Sequence, residues 1–146
     1  MSDSAQREFV DSNVLVYAHD VTAGKKREIA KELLERLWID ARGCLSIQTL
    51  QEFVVNATRK VPKPITVERA QEVVRALSDW TVHSPEPHDV VAALDRQVRY
   101  KISFWDAMIL ESAARLGCSL LWSEDLSSGQ VYHGVEVRDP FVSLTG

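Results

Sequence analysis

Residues 8–18 read Glu8-Phe9-Val10-Asp11-Ser12-Asn13-Val14-Leu15-Val16-Tyr17-Ala18. The apolar pair Phe9-Val10 predicts a strand from Glu8 to Asp11, then a tight Ser12-Asn13 turn and a short apolar segment from Val14 to Ala18. Downstream, Gly24 opens a helix that runs from Lys25 to about Ala41, with Ile29, Leu33, Leu34, Leu37 and Trp38 at helical spacing and Lys and Glu opposite. Gly43 ends it, and Cys44-Leu45-Ser46 reads as a second strand. Ile47, Leu50, Val54 and Ala57 mark a helix that stops before Pro62 and Pro64. Thr66 caps the next helix, which turns Ala70, Val73, Val74 and Leu77 inward, and Trp80-Thr81-Val82-His83 is a third strand. Pro87 suits the first turn of a further helix whose apolar stripe is Val90, Val91, Leu94 and Val98.

Ser103 begins a helix that is apolar nearly all round from Phe104 to Leu116 and is therefore expected at the centre of the fold. Gly117 stops it. The clearest strand, Ser119-Leu120-Leu121-Trp122-Ser123, follows, then a polar loop with Gly129 and a last short strand, Val135-Glu136-Val137. Apolar strands alternating with amphipathic helices predict an α/β fold with a mainly parallel sheet.

The composition sets the bounds. A chain of 146 residues, 45% hydrophobic and 26% charged, is one globular domain with enough apolar material for a sizeable core. The opening MSDSAQREFV has no basic stretch followed by an apolar one, and no run approaches the ~20 apolar residues of a membrane span, so a cytoplasmic protein without a membrane segment is expected. Cys44 and Cys118 lie far apart, outside any C-x-x-C spacing, and read as reduced core thiols. With 17 Lys and Arg against 21 Asp and Glu, a formal net charge of −4 argues against binding nucleic acid by bulk charge; any such contact needs a local basic patch or bound metal.

The chemistry-bearing candidates are acids. Asp11 and Asp125 follow the two best strands, and ligands of open parallel sheets bind outside such strand ends; both residues also suit plain turns. Ser103 and Asp106 have capping-box spacing, yet an acid between Trp105 and Ala107 on an apolar helix is expected to be partly buried, which is costly without a partner. Glu52 lies nearly opposite the Leu50/Val54/Ala57 stripe and by periodicity is a solvated residue. No His pairs with His or Cys at zinc spacing, and G-x-S-x-G, Walker A and G-x-G-x-x-G sequences are absent. If the carboxylates converge, oxygen-only ligands select Mg²⁺ or Mn²⁺.

Phe9 to Tyr17 resembles the opening motif of PIN-domain ribonucleases: an apolar pair, Asp, Thr or Ser, Asn, and an apolar run ending in an aromatic. Thr49-Leu50-Gln51-Glu52-Phe53 is similar to that family's helix-borne glutamate, Ser103-Phe104-Trp105-Asp106-Ala107-Met108-Ile109 to its central-helix aspartate, and Leu121-Trp122-Ser123-Glu124-Asp125-Leu126 to its last strand and acid. Gly129-Gln130, Gly134-Val135 and Pro140-Phe141 resemble the tail of the VapC-like toxin group. The resemblance implies a three-layer α/β/α fold over a single domain, residues 1–146, and a metal-dependent endoribonuclease. It implies that Asp11, Glu52, Asp106 and Asp125 hold one or two Mg²⁺ or Mn²⁺ ions, reversing the local reading of Glu52.

Ser12, Asn13, Ser123 and Glu124 are then candidates for orienting these acids, and turn capping is the alternative for the first three. Either Glu124 or Asp125 could be the outer ligand; the family pattern favours Asp125. Lys101 and Arg59 are candidate substrate contacts, though each also suits solvated surface. The toxin resemblance further implies an RNA substrate, a small antitoxin that blocks the site, and a homodimer. Trp38 and Trp80 offer apolar material for an interface, or belong to the core. A housekeeping RNA-processing nuclease and a catalytically silent binding module are the alternatives. A haloacid-dehalogenase-type phosphatase is disfavoured because Asn13 stands where it needs a second Asp, and a response-regulator receiver because Trp122-Ser123-Glu124-Asp125 offers no lysine.

Overall fold

In the computed structural model, which describes residues 6–142, the chain runs β1 (Arg7–Val10), α1 (Ser12–Ala18), α2 (Lys25–Asp40), β2 (Gly43–Ser46), α3 (Ile47–Arg59), α4 (Val67–Leu77), β3 (Thr81–His83), α5 (Pro87–Tyr100), α6 (Phe104–Arg115), β4 (Cys118–Trp122), β5 (Val131–Tyr132) and β6 (Val135–Arg138). Residues 1–5, part of the stretch read for a signal, lie outside the described residues.

The strands form one sheet in the order β3-β2-β1-β4-β6-β5, parallel throughout except for β5, a short antiparallel edge strand where the sequence predicts loop. Alternation along the strands divides the apolar side chains between two layers. Phe9, Cys44 and Leu121 face α6, where Ile109, Leu110 and Ala113 meet them; Val10 and Leu45 face the other way, into a cluster with Val14 and Leu15 of α1, Leu33 and Leu37 of α2, Phe53 of α3 and Val73 of α4. This is the three-layer α/β/α arrangement. Among the described residues no helix is long and apolar enough to cross a membrane.

Besides β5, two elements differ from the sequence reading, α1 in its state and α5 in its buried face. Ser12 to Ala18 is a helix instead of a turn followed by an extended segment. The uniformly apolar run hides its period, but Val14, Leu15 and Ala18 occupy one buried face. So short a helix is marginal by itself and is held by packing.

On α5 the Val90, Val91, Leu94 and Val98 stripe, expected to face inward, is exposed, Val98 to 78%. Its buried side carries Asp89 and Ala93, and an ionic network fixes that side to α6: Arg115 to Asp89 at 2.9 Å, and Arg96 to Glu111 at 2.7 Å. A buried acid must have its partner, which settles the orientation of the helix. On α6, Ala107 through Ala113 are all buried, as a central helix requires, whereas Trp105 is 62% exposed.

Trp38 and Trp80 pack together, ring centres 6.0 Å apart. The Trp80 ring also covers Gly43, where a Cβ would lie 2.4 Å from ring carbons, so the first residue of β2 must be glycine.

The sheet order reverses at β1: the chain steps from β1 to β2 and β3 on one side and then crosses to β4 on the other. The crevice at such a switch point opens outside the C-terminal ends of the strands. Here it lies beyond Val10, where α1 and α3 begin.

Candidate functional site

Asp11 ends β1 and caps α1. Its backbone N–H still donates to Trp122 O at 3.0 Å, continuing the β1–β4 ladder, while its Oδ1 accepts the Ser12 N–H at 2.7 Å. The Ser123 hydroxyl, at the end of neighbouring β4, donates to Asp11 Oδ2 at 2.8 Å. The carboxyl is only 3% exposed. Burial pushes its pKa up to about 7 against the two hydrogen bonds, and repulsion from Glu52 and Asp125 pushes the same way.

Glu52 comes from α3. Ser46 and Thr49 form a reciprocal capping box at the start of that helix, Thr49 N–H to Ser46 Oγ at 3.3 Å and Ser46 N–H to Thr49 Oγ1 at 3.0 Å. The Ser12 hydroxyl donates to Glu52 Oε1 at 2.9 Å, and Gln48, one turn back, donates to Oε2 at 3.0 Å. Periodicity alone puts this half-buried acid in solvent; α1, packed against α3, supplies the hydroxyl that turns it inward.

Asp106 lies in the first turn of α6. The helix is capped by Ser103, whose Oγ accepts the Asp106 N–H at 3.0 Å. Burial raises the Asp106 carboxyl above the usual aspartate range, against its hydrogen bond with Ser103, and the charges of Asp125 and Glu52 add to the rise.

Asp125 is exposed on the loop after β4. Its Oδ2 accepts from Asn13 Nδ2 at 3.1 Å, and its backbone N–H donates to Ser123 Oγ at 3.1 Å. Glu124 points elsewhere, to Tyr17 and Lys26.

The four acids therefore come from four separate elements and feel one another's charge, Asp11 with Glu52 and Asp125, Asp106 with Asp125 and Glu52. No ion pair among the described residues engages any of them. Among those residues no three His, Cys, Asp or Glu side chains stand close enough together to grip a metal as they are placed. The donor chemistry nonetheless fits a hard cation: all oxygen, an excess of negative charge, and a buried carboxyl whose ionised form lacks a counter-charge.

Gln48 escaped the sequence reading. It also donates to Trp105 O at 3.2 Å, joining α3 to the start of α6; the available signal was its i, i+4 spacing from Glu52. Tyr17 and Lys26 were missed as well, because their contact is with a residue about a hundred positions away. Arg59 ends α3, roughly 10 Å beyond Glu52 at ~1.5 Å per residue, and Lys101 is an exposed cap after α5 in the left-handed conformation (φ 55°). Neither is hydrogen-bonded or ion-paired to the four acids.

No curated protein matches the chain. Solved structures do. A chain of a toxin–antitoxin complex from Klebsiella pneumoniae superposes with a TM-score of 0.67 at 22% identity, covering 91% of this chain and 97% of that one. Mycobacterium tuberculosis VapC20, described as a sarcin–ricin loop cleaving toxin, gives 0.62 at 19% identity over 81% and 89%. A chain of DNA-bound VapBC from Salmonella typhimurium gives 0.63 at 19% identity over 92% and 98%. At such identities these likenesses speak for the fold alone. The family model for the PIN domain matches residues 9–132, a span that holds all four acids and runs from the end of β1, at the switch point, to the end of β5. On that match, over most of its length, the chain belongs to the PIN domain family.

Proposed function

We propose that the protein is a metal-dependent endoribonuclease and the toxin of a toxin–antitoxin pair. The observation that carries this reading is that Asp11, Glu52, Asp106 and Asp125, from four elements of a PIN-family fold, repel one another's charge with no cation side chain paired to any of them, Asp11 being tied to Asp125 through Ser123 and Glu52 to α1 through Ser12. These four carboxylates would hold one or two Mg²⁺ or Mn²⁺ ions. Such ions, when bound, activate a water as nucleophile and stabilise charge on the phosphate and leaving oxygen.

The chain's own residues prepare the site. Ser123 aims Asp11, Ser12 and Gln48 hold the two oxygens of Glu52, and Asn13 holds Asp125. Ligand-orienting contacts of this kind fix the direction in which the lone pairs point. No protein nucleophile is required.

The solved neighbours favour RNA as substrate and a small protein as inhibitor, since one is described as a sarcin–ricin loop cleaving toxin and another belongs to a toxin–antitoxin complex. The exposed Val90, Val91, Leu94 and Val98 stripe on α5 supports a homodimer, because contiguous apolar surface on a soluble domain marks an interface. Cytoplasmic location goes with the same reading.

Purified protein incubated with total RNA and Mg²⁺ or Mn²⁺ tests it. Cleavage that EDTA abolishes, and that Asp11→Asn lacks while still folding, is the expected result; full activity after exhaustive chelation overturns the metal mechanism.

A further inference from the structure

Glu124 and Asp125 are adjacent acids at the mouth of one site, and only their surroundings tell them apart. Both carboxylate oxygens of Glu124 are engaged. Oε1 accepts the Tyr17 hydroxyl at 2.7 Å, and Oε2 is ion-paired with Lys26. The Lys26 ammonium is seated in turn over two rings, 4.9 Å from the centre of Tyr17 and 5.4 Å from that of Phe141, which meet edge to face at 5.1 Å. Phe141 is buried, and its backbone N–H donates to Asp139 Oδ1 at 2.8 Å, so the platform under Lys26 is fixed. A cation over aromatic faces and against a carboxylate gains from both.

Asp125 has none of these contacts. Its carboxylate is exposed and reaches only the Asn13 amide, and its direction depends on where the 123–125 turn is held. That turn is pinned from three sides. Asn13 Oδ1 accepts the Glu124 N–H at 3.3 Å, Ser123 Oγ lies between Asp11 and the Asp125 N–H, and the Glu124 side chain is tied to α1 through Tyr17 and to the first turn of α2 through Lys26.

Resting on the acid site proposed above, with Asp125 as its outer ligand, we infer that Glu124 is the clamp that aims Asp125, and that Lys26 and Tyr17 are positioning residues acting through Glu124. The two adjacent acids divide the work: one is neutralised by protein to fix the turn, and the other is left free to face a cation.

The sign of one substitution separates this from the alternatives. Lys26 carries a positive charge beside an acid site. If it acted through charge alone, or only occupied Glu124 in place of a cation, Lys26→Met would tighten Mn²⁺ binding. If it positions Asp125, the same change loosens the turn and weakens binding.

The experiment is Mn²⁺ titration calorimetry on the full chain, with melting in EDTA as the check on folding, for wild type, Asp125→Asn, Glu124→Gln, Lys26→Met, Tyr17→Phe and the Lys26→Met/Glu124→Gln double variant. Expected losses of Mn²⁺ affinity are about tenfold or more for Asp125→Asn and several-fold for Lys26→Met and Tyr17→Phe, below the roughly 10- to 100-fold cost of losing a partner that touches the ligand directly, since both act through Glu124. The double variant should lose no more than the worse of its two singles, since both break one link. Tyr17→Phe removes a single oxygen and keeps the ring, so it tests the clamp should the charge variants unfold. Tighter binding in Lys26→Met, or a loss in Glu124→Gln matching Asp125→Asn with Lys26→Met and Tyr17→Phe unaffected, overturns the inference and makes Glu124 a ligand. A wild-type protein that binds no Mn²⁺ overturns the cation reading of the site, and the clamp's role with it.

Discussion

Ser123 Oγ donates to Asp11 Oδ2 at 2.8 Å across the β1–β4 boundary and, with the same oxygen, accepts the Asp125 N–H at 3.1 Å. One hydroxyl thus fixes the innermost and outermost acids relative to each other. Ser123→Ala should leave the fold intact and cut Mn²⁺ affinity by roughly 10- to 100-fold, the usual cost of losing an orienting partner. Calorimetric titration of the variant checks this, and unchanged affinity would show Ser123 to be merely a turn residue.

Asp11 makes the EDTA-treated protein pH-dependent in a definite direction. Its carboxyl sits at about 7 in the folded chain against 3.8 unfolded, so between those values the folded state keeps a proton that the unfolded state has released. The group costs nothing below about pH 4, and its cost grows as pH rises and is complete above about 7. Asp11→Asn does not titrate. Its stability advantage over wild type should therefore increase by on the order of 2–3 kcal/mol from about pH 5 to about pH 8. Paired urea melts in EDTA measure the difference, and a gap that stays constant or shrinks with pH refutes it.

Asp106 is where a capping role and a ligand role part company. Ser103 supplies the cap, so Asp106→Asn should cost the helix little, and removing a partly buried charge repelled by Asp125 and Glu52 should leave the EDTA-treated protein as stable or slightly more so. RNA cleavage should fall to near background in the same variant. Wild-type turnover in a well-folded Asp106→Asn would return the residue to helix capping.

Val98, at 78% exposure, tests the α5 surface. Val98→Lys should change the stability of the isolated chain by no more than about 0.5 kcal/mol, as exposed substitutions do, while shifting the sedimentation of the protein from dimer toward monomer. A variant that unfolds, or that sediments as wild type does, argues against a two-copy interface on this helix.

Arg96 pairs with buried Glu111 at 2.7 Å, and its side chain is only 12% exposed. Arg96→Met leaves Glu111 with Arg115 alone and should destabilise the protein by about 2–4 kcal/mol, below the cost of a wholly orphaned buried charge. Thermal melts give the value, and a loss under about 0.5 kcal/mol would show that Arg115 suffices.

Local chemistry was legible wherever an element's own residues decide its state. Phe9-Val10 before Asp11, Thr66 and Ser103 before their helices, Pro87 in a first turn and the alternation of strands with helices prescribe a parallel α/β sheet by period, cap and backbone restriction. The order of the four acids along the chain was legible too. What local pattern could not give was the face that each element would have covered. The uniform apolarity of Val14 to Ala18 masked a helix that only packing stabilises. The α5 stripe looked like core, yet Asp89, Arg96 and Glu111 decided which side of that helix met α6.

The same division runs through the site. With α1 excepted, the sequence by itself determined where helices start and where the parallel strands end, because capping and turn hydrogen bonds act within a few positions. Tertiary structure decided the rest: that Glu52 turns toward Ser12, 40 residues away, and Asp11 toward Ser123, 112 residues away, and that Glu124 goes to Tyr17 and Lys26 while Asp125 stays free. Periodicity describes the faces of one element. Which face is buried, and which acid is left without a counter-charge, depends on side chains that the sheet brings together from opposite ends of the chain.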